Sequence, residues 1–277
     1  MAIPPNLAKA YKDGSFAIFV GAGLSRPSGL PTWEGLLNEL ITYSKDNLNL
    51  PDQKELELRA LSKQPGKYLT VAEELKDIMS TDLQKYIKRR FNDSSLTPSV
   101  TLQKVIRLKA KFIITTNYDT LLENAFILVN NRLPNQLSYK DAATINDNIL
   151  SNEPFILKAH GDARSAPNEI IITEMDYRNI IYKEKGYQSV LHVLFSTCNV
   201  LFLGASLEDP ELKLLLGYIH NIFHGGSPKH FALMDEEGLT SVEIDRWRKD
   251  FNIQISTYNP KDNHAAVEHF VDELLAI

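Results

Sequence analysis

The residues best placed to do chemistry stand in four short turns, and each turn directly follows an apolar segment. These turns are Gly21-Ala22-Gly23-Leu24-Ser25, Thr116-Asn117-Tyr118-Asp119, His160-Gly161 and Gly204-Ala205-Ser206. Glycines let a ligand approach the backbone because they carry no Cβ. A histidine that titrates near neutral pH can take a proton from a sugar hydroxyl or from water. Together the turns indicate a ligand that carries phosphate and hydroxyl groups.

The first turn follows Phe16–Val20, five apolar residues that predict a strand buried on both faces. Helical periodicity begins at Trp33, so the segment predicts a strand, a glycine turn and a helix, an arrangement that binds phosphate. Gly21 can take a positive φ, and Gly23 lets the backbone approach a ligand with no Cβ in the way. A dinucleotide fingerprint would need a third glycine where Arg26 stands and an acidic residue on a second strand. Taken alone, the turn is equally compatible with an ordinary strand-to-helix connection.

The polar side chains of the other turns each have a structural and a functional interpretation. A single histidine is usually structural, but the position of His160 at a strand end favours a catalytic role. Asn117 and Asp119 can hold a ribose or a water, or they can cap the next helix. We expect one of the two to cap and the other to contact ligand. The hydroxyls of Ser25 and Ser206 can hydrogen-bond phosphate or ribose.

The positions of the turns follow from the elements around them. Short apolar strands are predicted at residues 16–20, 112–115, 155–158, 200–203, 230–234 and 253–257, with a further short strand at 169–173. Helical patterns alternate with them, including two helices on either side of Gly186 and a last helix from residue 265. This alternation predicts an α/β fold with a doubly wound, Rossmann-like parallel sheet. Ligands bind at the carboxyl ends of such strands, so the four turns should meet there.

Residues 52–108 break the alternation because no strand-like run occurs in them. Charged residues are frequent there and apolar residues recur at spacings of three and four, which predicts three or four short helices. Breaks are expected at Pro65-Gly66 and at residues 94–98. We therefore expect a helical insert subdomain over residues 50–108.

Composition narrows the classes of partner. The 277 residues carry a net charge of −5, which favours neither nucleic acid nor a membrane surface as a direct partner. Cys198 is the single cysteine and lies in an apolar segment, so it predicts a buried thiol and argues against disulfides and multi-cysteine zinc modules. No apolar run approaches the roughly 18 residues of a membrane span. The first residues lack the apolar core of a signal peptide, so a cytoplasmic location is expected.

In this order, and with Gly29-Leu30-Pro31 after the first, the turns resemble the sirtuin superfamily. The resemblance implies an NAD-binding domain over residues 1–277, with His160 as the catalytic base and with Asn117 and Asp119 facing the nicotinamide ribose. It also implies a set of residues that contact the cofactor at its diphosphate, its ribose or its adenosine. These are Gly21, Ala22, Gly23, Ser25, Thr116, Gly204 and Ser206.

The differences from deacylase sirtuins indicate which activity of the family to expect. Thr32-Trp33-Glu34 stands where deacylase sirtuins carry Asp-Phe-Arg, and their four zinc cysteines are missing, which argues against a peptide-binding cleft and against zinc. The chain is similar to the sirtuin-like NAD hydrolases of bacterial anti-phage defence. That similarity implies NAD as substrate, cleavage to nicotinamide and ADP-ribose, and control by homo-oligomerisation or by a regulatory partner such as an ATPase or a sensor. The alternatives are an NAD-dependent protein deacylase, an ADP-ribosyl transferase, and a non-catalytic NAD or ADP-ribose sensor that gates a partner.

Overall fold

The fold is built on one parallel sheet of seven strands. It is described by a computed structural model for residues 2–166, 169–237, 239–262 and 264–277. The strands are β1 Phe16–Val20, β2 Ile113–Thr115, β3 Gln136–Ser138, β4 Ile156–Lys158, β5 Asn199–Leu203, β6 His230–Asp235 and β7 Ile253–Tyr258. Their spatial order is β3-β4-β2-β1-β5-β6-β7, and all six neighbouring pairs are parallel. The order reverses at β1, as it does in doubly wound folds.

Strand β1 lies at the centre of the sheet because its side chains are apolar on both faces. Ile18 and Val20 point into one apolar core, whereas Ala17 and Phe19 point into the other. All five residues of β1 are buried. A strand of this kind must be covered by helices on both sides.

Helices cover both faces of the sheet. In the described part of the chain they are α1 Pro5–Lys12, α2 Trp33–Leu48, α3 Asp52–Leu61, α4 Tyr68–Met79, α5 Thr81–Phe91, α6 Val100–Arg107, α7 Leu121–Asn130, α8 Ala142–Ser151, α9 Glu174–Lys183, α10 Lys185–Thr197, α11 Pro210–Ile222, α12 Ser241–Phe251 and α13 Ala265–Leu275. The prediction of a doubly wound α/β sheet is confirmed.

The insert is helical, as expected. Helices α3 to α6 occupy residues 52–107, and the chain breaks between α3 and α4 and between α5 and α6, where the sequence predicted breaks. Their apolar side chains, such as Leu75, Leu83 and Val105, join the same core as Ile18 and Val20. The separate subdomain over residues 50–108 stays a prediction.

Several local predictions are wrong. Residues 169–173 form no strand; instead the Ile171 N–H donates to the His160 carbonyl (3.1 Å). The helix pair predicted around Gly186 divides at Glu184. Strand β3 and helices α1, α8 and α12 were not predicted. In β3 only Leu137 is buried, because an edge strand needs less apolar sequence than a central one.

Candidate functional site

The four turns follow strands that end at the same level of the sheet. Val20 pairs with Thr115 and with Leu203, and Thr115 pairs with Lys158. These four residues are the last of β1, β2, β5 and β4. The turns that follow them therefore share one edge of the sheet, as the sequence predicts.

The first and fourth turns pack against each other through glycine backbone. A Cβ on Gly21 would lie 2.4 Å from the Gly204 carbonyl oxygen, and one on Gly23 would lie 2.8 Å from the Gly204 Cα. The Gly23 N–H donates to that same carbonyl (2.9 Å). Gly21 has φ −102° and does not use the positive φ that glycine can take, whereas Gly204 has φ +64°. Packing of one loop on the other requires these glycines, whatever ligand approaches them.

The predicted glycine turn does not lead directly into a helix. Two short 3-10 turns, Ala22–Leu24 and Arg26–Ser28, come first, and α2 begins only at Trp33. The helix predicted from Trp33 is confirmed, and the two 3-10 turns separate its N-terminus from Gly21. Pro27 and Pro31 explain the delay, because proline supplies no N–H for a continuous helix.

A buried chain of hydrogen bonds joins the first turn to the second. The Asn117 amide nitrogen Nδ2 donates to the Gly21 carbonyl (3.1 Å) and to Ser25 Oγ (3.1 Å). Ser25 Oγ in turn donates to Asp119 Oδ2 (2.8 Å). A carboxylate can only accept and an amide nitrogen can only donate, so the direction of the chain is fixed. Both Asn117 amide hydrogens are used, and its Oδ1 is the group left to face a ligand.

Asp119 has a structural task. Its Oδ1 accepts from the Leu121 N–H (3.0 Å) at the start of α7, and its carbonyl accepts from Lys158 Nζ. Asp119 is buried, and both carboxylate oxygens are engaged. The expectation that one of the two residues caps a helix fits Asp119, while contact of either residue with ligand stays a prediction.

Lys158 belongs to a buried ionic cluster behind this turn. Its Nζ lies 3.5 Å from Glu123 Oε1 and 3.7 Å from Asp162 Oδ2. Arg164 Nε donates to Asp162 Oδ1 (2.8 Å), and the Arg164 guanidinium keeps the pKa of Asp162 below its ordinary value even though burial opposes that shift. The cluster fixes the end of β4, from which the third turn starts.

His160, two residues after the end of β4, is buried. Its Nε2 lies 3.3 Å from Asp209 Oδ2 and 3.9 Å from Glu211 Oε2, although the angles are not those of a hydrogen bond. Its ring stands edge-on to Tyr177, with the ring centroids 5.1 Å apart. Burial lowers the pKa of His160 below its ordinary value of 6.5, and the Asp209 carboxylate opposes part of that shift. The imidazole is therefore neutral at pH 7, the state that a general base requires.

A cavity of about 20 Å³ adjoins His160, Thr116 and Glu211. Its remaining wall is largely apolar, with Phe19, Tyr187 and Leu191 among its lining residues. Thr116 and His160 therefore line the same cavity, while their contact with a cofactor stays a prediction. The cavity is too small for a dinucleotide, so a ligand must approach from the exposed side of the turns.

The remaining predicted contact residues lie on the open side of the same edge. Ala22, Gly23 and Gly204 are partly exposed, and Ser206 is exposed. Ser206 Oγ accepts from the Glu208 N–H (3.4 Å). Ser25 is buried, and its proton is committed to Asp119, so a phosphate would have to displace that bond.

Sequence reasoning missed the two acidic residues beside His160. Asp209 caps α11, since its Oδ1 accepts from the Leu212 N–H (2.9 Å). Burial and the nearby Asp209 raise the pKa of Glu211 to about 8. The Asp-Pro-Glu order after the fourth turn signals a helix start. Nothing in that order shows that the glutamate points inward.

Two further predictions can be compared with the structure. Cys198 is buried, as expected, and burial raises the pKa of its thiol. Among the helices of the described ranges, none has both the length and the apolar character needed to cross a bilayer.

Comparison with known proteins gives matches over most of the chain. A family model described as SIR2-like domain matches residues 111–256, slightly more than half of the chain. The chain is 26% identical over 244 residues to "NAD(+) hydrolase ThsA" of Acinetobacter baumannii, covering 82% of this chain and 44% of that protein. It is 28% identical over 235 residues to the protein of the same name from Enterococcus faecium, covering 83% and 45%. "Defense-associated sirtuin 2" of Bacillus subtilis is 22% identical over 230 residues, covering 82% and 21%.

The chain thus spans less than half the length of these relatives. A solved structure of a Sir2 mutant with a p53 peptide and NAD aligns over 97% of both chains, at 14% identity and a TM-score of 0.44.

Proposed function

Since the chain belongs to the SIR2-like domain family, we propose that it hydrolyses NAD at the nicotinamide–ribose bond and releases nicotinamide and ADP-ribose. NAD is the substrate, and no zinc takes part. The relatives named NAD(+) hydrolase support this assignment over the segment that they share with the chain.

One observation carries the proposal: a buried imidazole that burial keeps neutral and an amide fixed by hydrogen bonds follow neighbouring strands, at the same edge of the sheet as the glycine loop. The hydrogen-bond chain from Asn117 through Ser25 to Asp119 holds that amide against Gly21. His160 follows on the next strand of the same edge, and burial keeps it unprotonated. The loops at residues 21–25 and 204–206 are proposed to hold the diphosphate and the adenosine.

The reaction needs a base and a positioned water more than it needs an acid. The nicotinamide nitrogen is cationic in NAD, so it takes the bonding pair from C1′ and leaves neutral. The oxygen of water then bonds to C1′, and the water's proton passes to His160 and on to solvent. A positioned general base contributes about 10²–10⁴-fold to such a step.

Asn117 can contact a ligand only as a hydrogen-bond acceptor, although an asparagine side chain can both donate and accept. Because both of its amide hydrogens are used by Gly21 and Ser25, the free Oδ1 can only accept a hydrogen bond. We propose that it accepts from the attacking water or from a ribose hydroxyl. Asp119 then acts by holding Ser25 and the start of α7 in place.

The biological setting is proposed from the same relatives. A defence-associated name among them supports an NAD-depleting role in bacterial anti-phage defence, carried out in the cytoplasm. Control by homo-oligomerisation or by a regulatory partner such as an ATPase or a sensor belongs to this proposal.

Incubation of the protein with NAD alone tests the function. We expect nicotinamide and ADP-ribose in equal amounts without any acylated peptide, and we expect His160→Ala and Asn117→Ala to lose at least about 100-fold of the rate. His269→Ala is the matched control, because this histidine is exposed on α13, where it pairs with Glu273 in the next turn. NAD that stays intact at millimolar concentration would contradict the hydrolase and favour a sensor. Product that forms only with an acylated peptide would favour a deacylase.

A further inference from the structure

A buried group of side chains on α9 and α11 faces His160, and the hydrolysis step as described does not use it. Asp209 Oδ2 lies 3.3 Å from His160 Nε2 and accepts a 2.7 Å hydrogen bond from the Tyr177 hydroxyl. Glu211 lies next to them and accepts from Gln188 Nε2. One ligand-capable atom from each of His160, Asp209 and Glu211 lies within 4.8 Å of the others.

We propose that Asp209 is a positioning residue for His160: held by Tyr177, it keeps the imidazole proton on Nε2, so that Nδ1 is the nitrogen that takes the proton during hydrolysis. This inference rests on the proposed NAD hydrolysis. It adds a residue that acts on the base without touching the substrate.

The local structure holds Asp209 firmly for this task. Its Oδ1 is engaged at the N-terminus of α11, and its Oδ2 is engaged by Tyr177, so the carboxylate cannot rotate away. Tyr177 is buried, which raises its pKa well above 10 and keeps its hydroxyl a donor. Leu207, two residues earlier, has φ +62°, a strained conformation that sets the path into α11.

His160 Nε2 is a buried nitrogen with no hydrogen-bond partner in the described residues, and Asp209 Oδ2 is nearer to it than the Glu211 carboxylate is. A rotation that closed the 3.3 Å contact would satisfy it. Catalytic hydrogen bonds are often long or misaligned before a ligand binds and tighten in the complex. The other groups that face the imidazole are Tyr177, Glu211 and the lining residues Tyr187 and Thr116, none of them cationic.

Asp209→Asn separates the positioning role from the helix cap. Asparagine keeps an oxygen for the Leu212 N–H, and asparagine is as good a cap as aspartate. Its amide nitrogen, however, would present hydrogens to His160 Nε2 and would favour the opposite tautomer. The variant should therefore fold, and circular dichroism should give an unchanged helix content.

The full chain is assayed with NAD over pH 5–9. We expect Asp209→Asn to lower kcat by about 10²–10⁴-fold, the range that a general base contributes, with KM within about threefold. We expect the acidic limb of the pH profile of the residual activity to move down by about one unit, because a carboxylate no longer stabilises the imidazolium. Tyr177→Phe should give a smaller loss in the same direction. Tyr86→Phe is the matched control, since its hydroxyl also donates to a carboxylate, that of Glu39, and it should keep wild-type kinetics.

A second measurement does not depend on activity. Nitrogen-15 shifts of the His160 ring should report the Nε2–H tautomer in the wild type and the Nδ1–H tautomer in Asp209→Asn. The proposal is overturned by equal tautomers in both proteins, by kcat within twofold of wild type with an unmoved pH profile, or by loss of wild-type activity in EDTA, which would assign the cluster to a bound cation. If the wild type leaves NAD intact, the hydrolase assignment fails while the ring shifts still decide the role of Asp209.

Discussion

Replacing Glu211 by glutamine tests the electrostatics of the buried acidic pair beside His160. Glu211 is almost fully buried next to Asp209, and these two conditions raise its pKa to about 8 from an ordinary value of 4.5. Glutamine has the same shape and keeps an oxygen for the hydrogen bond from Gln188. The substitution removes the titration and little else.

The sign and size of the effect follow from proton linkage. Between pH 4.5 and 8 the folded protein holds a proton on Glu211 that the unfolded chain has lost. The contribution of this group to stability is therefore complete below pH 4.5 and is lost as the pH rises to about 8, at about 1.4 kcal/mol per pH unit. Between pH 5 and pH 9 the free energy of unfolding of Glu211→Gln should rise relative to wild type by about 4 kcal/mol.

Urea denaturation at pH 5, 6, 7, 8 and 9 measures this difference for the wild type and the variant. Glu208→Gln is the matched control, because Glu208 lies on the same turn but is exposed and pairs with Lys213. Its unfolding free energy should follow that of the wild type at every pH. A difference between wild type and Glu211→Gln that stays constant across the pH range would refute the assignment of a raised pKa to Glu211.

Three further predictions concern packing around the site. Gly21→Ala would place a Cβ 2.4 Å from a backbone oxygen of the fourth turn, so it should lower stability by about 2 kcal/mol or more in urea, whereas Gly66→Ala has open space and should not. Equal midpoints for both would contradict this close packing. Lys158→Met should cost about 3 kcal/mol because it leaves the buried Glu123 carboxylate with only the half-exposed Arg164 guanidinium, 3.6 Å away, as a cationic partner. Adding Glu123→Gln should restore a large part, and no recovery in the double variant would count against the buried pair. Cys198 should react with a thiol reagent only as fast as the protein unfolds, and modification within seconds in native buffer would show that the thiol is accessible.

The fold could be predicted for those strands whose residues are apolar on both faces. Strand β1 is apolar at all five positions, and β5 is nearly so, which leaves a buried central strand as the one arrangement that hides them. Edge elements carry a weaker signal. Strand β3 has one buried side chain, and α12 has only Trp247 buried, so few apolar positions mark either element in the sequence.

The sequence predicts which turns form the site, but it does not predict the contacts between them. Strand ends in a parallel sheet share an edge, so Asn117, His160 and Gly204 could be placed together from sequence order alone. Which glycine needs a positive φ depends on how two loops cross. The structure gives that conformation to Gly204 and an extended one to Gly21.

The direction in which a side chain points at the start of a helix cannot be predicted from the sequence either. Glu211 occupies the first turn of α11, where acidic residues normally face solvent and the helix dipole. Here the residue turns inward because α9 and α10 close over it. Only the packing of three helices reveals the acidic pair beside the histidine.

Hydrogen exchange of the His160→Ala variant with and without NAD tests most directly whether the four turns form one NAD site. The variant is chosen so that substrate persists during labelling. Saturating NAD should slow amide exchange in the peptides that contain residues 21–25, 116–119 and 204–206, and should leave α12 unchanged. Protection confined to other regions, or no protection at millimolar NAD, would contradict a shared site at this edge of the sheet.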